Sequence, residues 1–174
     1  LLTIDIICHG TPSPMLWKEY LNFLEMKKSK KVLGYNFRSK INGWHEHTEV
    51  AMYDDNKSDY KSREVQVFRN IFYSHNALRP SCHNCKYTNF ARPSDVTMAD
   101  FRGIEKINKN FDDNRGTSLV LINTDYGRKV FNNIKGQFDC YISNTRDCVQ
   151  RNLIKPTPVS KNRDNFWQDY HNHG

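Results

Sequence analysis

The sequence predicts an α/β fold: a mixed β-sheet flanked by helices, forming a single domain over residues 1–174 that has been cut from a longer protein. Three observations carry this reading. Short apolar, β-type runs alternate with segments of helical period along the chain. A length of 174 residues is ordinary for one domain with one core. The chain opens without an initiator Met, directly on Leu1-Leu2-Thr3-Ile4-Asp5-Ile6-Ile7, an apolar run that reads as a buried strand with its upstream neighbours removed.

That first strand ends at Cys8-His9-Gly10-Thr11-Pro12, a Gly and Pro turn that puts Cys8 at a strand's carboxyl edge, where α/β folds hold ligands. Ser13 and Pro14 give a helix start, and Leu16, Trp17, Tyr20, Leu21 and Leu24 recur at helical spacing, predicting a helix over 14–29 with Trp17 in the core. The lysines Lys27, Lys28, Lys30 and Lys31 suit the solvated end of that helix. Residues 31–38 and 45–53 read as two strands joined at Asn42-Gly43, a hairpin signal, and Asp54-Asp55-Asn56-Lys57 turns the chain again. Val65, Phe68, Arg69, Ile71 and Phe72 predict a short helix ending near Asn76, followed by a loop carrying Cys82 and Cys85. Strands are expected over 95–98 and 117–123, with a helix capped by Thr124 running to Ile134. A further strand over 138–142, a helix over 145–152 and an extended tail or docked helix over 153–174 complete the reading. No internal repeat or low-complexity tract interrupts it.

Hydrophobic residues make up 37% of the chain and aromatic residues 13%, enough for a folded globule. The net charge of +7 suits an anionic partner, whether nucleic acid, an anionic cofactor or an acidic protein surface, without choosing among them. No run reaches the roughly 20 apolar residues of a membrane span and no secretory leader is visible, so the expected compartment is cytoplasmic.

The chemistry centres on cysteine. Five cysteines, two of them in the tight Cys82-His83-Asn84-Cys85 spacing, fit metal or redox chemistry in a reducing compartment better than a disulfide framework. A C-x-x-C lets two thiolates bind one metal while backbone amides hydrogen-bond the sulfurs. Cys8 is the natural third ligand. Candidates for a fourth within the chain are Cys140, Cys148, His9 and His83, although Cys140 and Cys148 read more simply as small buried hydrophobes. A zinc site of Cys8, Cys82, Cys85 and His83 satisfies the same spacing. His45, His47 and His75 read as surface or loop groups, with His9 the exception. Asp112-Asp113-Asn114-Arg115-Gly116-Thr117-Ser118 suits a cation, sugar hydroxyls or a plain solvated turn. The calcium-loop, G-x-G-x-x-G and Walker patterns are absent.

Several stretches taken together carry a resemblance. They are Asp5-Ile6-Ile7-Cys8-His9-Gly10-Thr11-Pro12-Ser13-Pro14, Asn36-Phe37-Arg38-Ser39-Lys40 with Gly43-Trp44, and Leu78-Arg79-Pro80-Ser81-Cys82-His83-Asn84-Cys85. Ser94-Asp95-Val96-Thr97-Met98-Ala99-Asp100-Phe101-Arg102-Gly103-Ile104 and the Asp112–Ser118 stretch extend it to about residue 135. The chain resembles the beta subunit of coenzyme F(420) hydrogenase/dehydrogenase, in its C-terminal domain. The resemblance implies an oxidoreductase that moves electrons between FAD, a 4Fe-4S cluster and a hydride carrier such as coenzyme F(420). It implies that Cys8, Cys82 and Cys85 supply three cluster thiolates, with an upstream cysteine as the fourth. Cofactor-binding positions would be His9, Asn36, Arg38, Lys40, Lys86, Asp100, Asp113 and Gly116, with Arg38, Lys40 and Lys86 toward flavin phosphates. Implied partners are a redox protein or an upstream ferredoxin-like domain, and the hydride-carrier coenzyme. One departure stands out: relatives carry Asp-Phe-Trp-Gly where this chain has Asp100-Phe101-Arg102-Gly103. Two other classes of function remain in view. One is a zinc-stabilised module binding nucleic acid or protein, motivated by the basic balance and by Tyr87, Phe90 and Arg92. The other is a non-catalytic electron-transfer partner in polysaccharide synthesis.

Overall fold

A computed structural model describes residues 1–173. Among them the order is β1 (Ile4–Ile6), α1 (Pro14–Lys28), β2 (Val32–Ser39), β3 (Thr48–Tyr53), β4 (Ser58–Asp59), α2 (Arg63–Tyr73), α3 (Pro80–His83), β5 (Val96–Asp100), α4 (Ile104–Ile107), β6 (Ser118–Ile122), α5 (Asp125–Ile134) and α6 (Arg163–His173). The chain is α/β with a mixed sheet flanked by helices, as its sequence predicts. Its packing gathers in two compact units, Leu1–His9 with Cys85–Pro156, and Gly10–Asn84 with Thr157–Gly174. Two apolar clusters replace the expected single core, because the chain between β1 and β5 buries its own hydrophobic faces before returning.

The first unit is built on the sheet β1-β5-β6, with β1 parallel and β6 antiparallel to β5. On one face Leu119 packs with Phe101, Ile104 and Cys148, and Ala99 and Leu121 lie against them. The other face is open along β1, where Ile4 and Ile6 are 55% and 63% exposed. The predicted buried strand is therefore short and peripheral, since β1 is an edge strand with one neighbour. Below the sheet, the Thr124 side chain caps α5 by accepting from Gly127 N at 3.0 Å, as the sequence predicts. Hydroxyls of Thr124 at 2.6 Å and Thr3 at 2.7 Å donate to Asp95 and hold its carboxyl down at about 2. Gly127 is required here: a Cβ at that position would stand 2.4 Å from the Asp95 carbonyl oxygen.

Two elements expected in this unit do not form. Residues 138–142 are not a strand and Cys140 is exposed, whereas Cys148 is buried as a small hydrophobe. Residues 145–152 are not a helix; only a 3-10 turn, Arg151–Leu153, appears. The Asn144 side chain explains part of this, accepting from the amides of Arg146 and Asp147 and so offering the backbone a turn in place of a helical ladder.

The second unit holds the antiparallel sheet β2-β3-β4 with α1 and α2. Leu16, Tyr20 and Leu24 line one face of α1, and β3 alternates strictly, burying Glu49, Ala51 and Tyr53. Of these, Tyr20, Leu24, Ala51 and Tyr53 pack with Val65 and Phe68 of α2, and Trp17 flanks them at 4.7 Å from the Phe68 ring. Pro14 starts α1 as expected, but Ser13 makes no side-chain cap bond. The lysines are more engaged than a solvated end suggests: Lys28 pairs with Asp59 at 3.0 Å and Lys30 with Asp55 at 2.8 Å. Gly43 turns the chain at φ 90°, its N–H donating to Lys40 O at 2.9 Å. The connection there is longer than a tight hairpin, because β2 ends at Ser39 and β3 begins only at Thr48. The tail expected to be extended is helical over Arg163–His173, matching the docked-helix reading.

Candidate functional site

In the first unit, the parallel pairing of β1 with β5 brings two loops to one sheet edge. Ile7 N donates to Met98 O at 3.0 Å, so Cys8 and His9 leave β1 where β5 runs out to Asp100 and Arg102. Asp100 is paired with Ser118, and Phe101 N donates to Thr117 O at 2.8 Å, so Gly116-Thr117-Ser118 adjoin the same edge. Gly116 is at φ 94°, a conformation that costs a glycine nothing. Cys8, Asp100 and Gly116 are thus gathered at the carboxyl ends of a parallel strand pair, the usual ligand position in such sheets.

Side chains to which the sequence assigns no part in this edge hold it. Gln150 Nε2 donates to Asp100 O at 2.7 Å and Asn152 Nδ2 to Cys8 O at 2.9 Å, so one short segment fixes both strand ends. Arg92, whose side chain is 4% exposed, pairs with Asp5 at 3.0 Å and donates to Ile6 O at 3.1 Å and to Tyr87 O. It ties the segment after Cys85 to the strand that ends at Cys8. A buried guanidinium sharing its donors among a carboxylate and two carbonyls is a rigid clamp. The sequence marks Arg92 only as a basic residue near aromatics, because long-range hydrogen bonds of this kind carry no local pattern.

In the second unit, Cys82 sits in the single turn of α3 rather than in an open loop. Thr11 and Arg79 are joined by Arg79 N donating to Thr11 O at 2.9 Å, with Pro12 bridged to Leu78. That contact returns Cys82 to Thr11, whose backbone N–H points at the sulfur at 3.2 Å. His83 Nδ1 lies 2.9 Å from Thr157 O and its Nε2 lies 3.4 Å from Arg163 Nη1.

The remaining predicted positions divide between the units. Asn36, Arg38 and Lys40 are exposed along the outgoing end of β2, where Asn36 Oδ1 accepts from Arg38 N at 2.9 Å in a bulged register. His9 is partly buried, and Lys86 lies 5.3 Å over the Tyr87 ring. Asp113 is engaged locally, accepting from Arg115 N at 2.9 Å and facing its guanidinium at 3.7 Å. Arg102 is exposed directly after β5. All five cysteines are free thiols. Among the described residues no three His, Cys, Asp or Glu side chains already converge as a metal site, and no helix is long and apolar enough to cross a membrane.

No curated protein and no solved structure matches the chain. A family model does, that of the C terminus of the beta subunit of coenzyme F(420) hydrogenase/dehydrogenase, over residues 1–147. This span contains the strands of the sheet edge, the C-x-x-C and every residue named above as a candidate except Cys148. The chain therefore belongs to the coenzyme F(420) hydrogenase/dehydrogenase beta-subunit family, a family of oxidoreductase subunits.

Proposed function

We propose that the chain is a flavin and iron–sulfur electron-transfer domain of this family. Cys8, Cys82 and Cys85 are the thiolate ligands of a 4Fe-4S cluster, completed by a fourth ligand from outside these three. FAD lies by the carboxyl edge of the β1 and β5 pair, near His9, Asp100 and Gly116, with Asn36, Arg38, Lys40, Lys86 and Asp113 as the further candidate contacts. The single observation that carries this reading is the family match across residues 1–147, which spans all three cysteines. The free state of the thiols and the amide donor on Cys82 support it, since soft thiolates with N–H donors suit iron–sulfur clusters.

When bound, the two cofactors supply hydride and single-electron chemistry; the protein supplies position and electrostatics. On this reading Arg92, Gln150 and Asn152 act through the backbone, fixing the strand ends that carry Cys8 and Asp100. The exposed guanidinium of Arg102, in place of the relatives' Trp, puts a cation where an aromatic plane is usual. The electron partners are a hydride carrier such as coenzyme F(420) and a redox protein or ferredoxin-like domain, in the cytoplasm.

The test is anaerobic purification followed by iron, sulfide, zinc and flavin assays. Stoichiometric iron, sulfide and FAD support the proposal. Zinc without iron or flavin, with salt-sensitive binding of oligonucleotides, contradicts it and favours a zinc-stabilised module, because thiolates at this spacing also take zinc.

A further inference from the structure

The family match ends at residue 147, yet the segment beyond it reaches back to the turn that carries Cys82. Within the second unit two contacts reach His83 of that turn, and two more anchor the segment on Asn76. His83 Nδ1 meets Thr157 O at 2.9 Å, and because a carbonyl only accepts, Nδ1 carries the proton. The opposite nitrogen, Nε2, faces Arg163 Nη1 at 3.4 Å, at the outer limit of a hydrogen bond. Arg163 Nη1 also donates to Asn76 O at 2.6 Å, and Trp167 Nε1 donates to the same carbonyl at 3.0 Å. The Arg163 guanidinium lies 5.8 Å from the Trp167 ring within α6, and their two bonds to the Asn76 carbonyl anchor the helix. Thr157 is itself only 3% exposed, which makes its carbonyl a fixed anchor rather than a solvent-facing one.

The consequence lies next door in sequence. His83 follows Cys82 directly, and α3 is a single turn with no buried residue of its own. A four-residue helix has almost no intrinsic stability. Its position therefore depends on what grips it, namely Thr11 on the Cys82 side and Thr157 with Arg163 on the His83 side. We infer that residues 157–167 form a C-terminal clasp that positions the Cys82 turn, with Arg163 and His83 as positioning residues rather than ligands. The bearing of the clasp on electron transfer rests on the proposed ligand role of Cys82; the clasp itself does not.

The experiment measures the alkylation rate of each cysteine by iodoacetamide in the metal-free full chain, resolved by peptide mass spectrometry, for the wild type, Arg163→Ala, His83→Leu and His83→Asn. Losing a hydrogen bond from a charged donor corresponds to roughly a tenfold shift in a local opening equilibrium. Cys82 should react about tenfold faster in Arg163→Ala and in His83→Leu. His83→Asn, whose amide can replace the Nδ1 donor, should stay near the wild-type rate, and the buried Cys148 should be unchanged throughout. An unchanged Cys82 rate in Arg163→Ala overturns the inference. So does a parallel rise of Cys82 and Cys148, which would place the effect on the fold at large. The iron content of the same variants separates this inference from the cluster reading. A wild type without iron sinks the cluster while leaving the clasp standing, and iron retained alongside an unchanged Cys82 rate does the reverse.

Discussion

Replacing Glu49 by Gln tests whether the core of the second unit holds a charge at a cost. Glu49 is 4% exposed, points inward from β3 and accepts a 2.9 Å bond from the Tyr35 hydroxyl, which itself sits 3.1 Å from Tyr20 Oη. Burial pushes its carboxyl from the ordinary 4.5 up to about 7, against the lowering effect of Tyr35 and Arg69. The folded chain thus keeps a proton that the unfolded chain has released, so stability falls as pH rises from about 4.5 and levels off above about 7. A difference of about 2.5 pH units, at about 1.4 kcal/mol each, amounts to about 3 kcal/mol above neutrality. Gln keeps the shape and the acceptor for Tyr35 but never ionises. Urea unfolding followed by tryptophan fluorescence, with Trp17 as the reporter in that core, measures both proteins at pH 5 and pH 8. The stability of the variant relative to wild type should improve by about 2 to 3 kcal/mol between the two pH values. Other titrating groups are common to both proteins and cancel in the comparison. A gap that does not change with pH would mean instead that Arg69 and Tyr35 fully compensate the buried carboxylate.

Two further outcomes follow from the first unit. Gly127→Ala should destabilise by about 1 to 3 kcal/mol, because the new methyl meets the Asp95 carbonyl rather than a movable side chain; thermal unfolding checks this, and an unchanged Tm would mean α5 can shift freely. Arg92→Met should cost about 3 to 5 kcal/mol by leaving Asp5 and two carbonyls without their donor, and hydrogen exchange should rise over residues 5–8 and 85–92. Protection that stays at wild-type levels in both stretches would remove Arg92 from the account of the site.

Much of the fold was legible because its signals are local. Pro14 and the spacing of Leu16, Tyr20 and Leu24 mark α1, Thr124 marks the start of α5, and alternation marks β3. What escaped depends on distance. The pairing of Ile4 with Val96 joins residues far apart in sequence, and nothing in Leu1–Ile7 distinguishes an edge strand from a central one. Residues 138–152 carry apolar spacing without a regular strand or helix, since Asn144 closes a turn and Cys140 is left exposed. Helix α6 buries no residue completely, so its polar sequence carries only a weak signal; it is held instead by Arg163 and Trp167. The cysteines were readable from spacing and resemblance. Their supports, Arg92, Gln150, Asn152 and Arg163, were not, because each acts on a carbonyl or ring distant in sequence.

The most direct test of the central claim is the iron content of the anaerobically prepared protein with Cys8, Cys82, Cys85 and Cys140 each changed to Ser. Iron and sulfide should fall sharply in the first three variants and stay at wild-type stoichiometry in Cys140→Ser, with the folded signal kept in all four. Iron that survives the loss of Cys82 or Cys85, or a metal content that proves to be zinc alone, would contradict it.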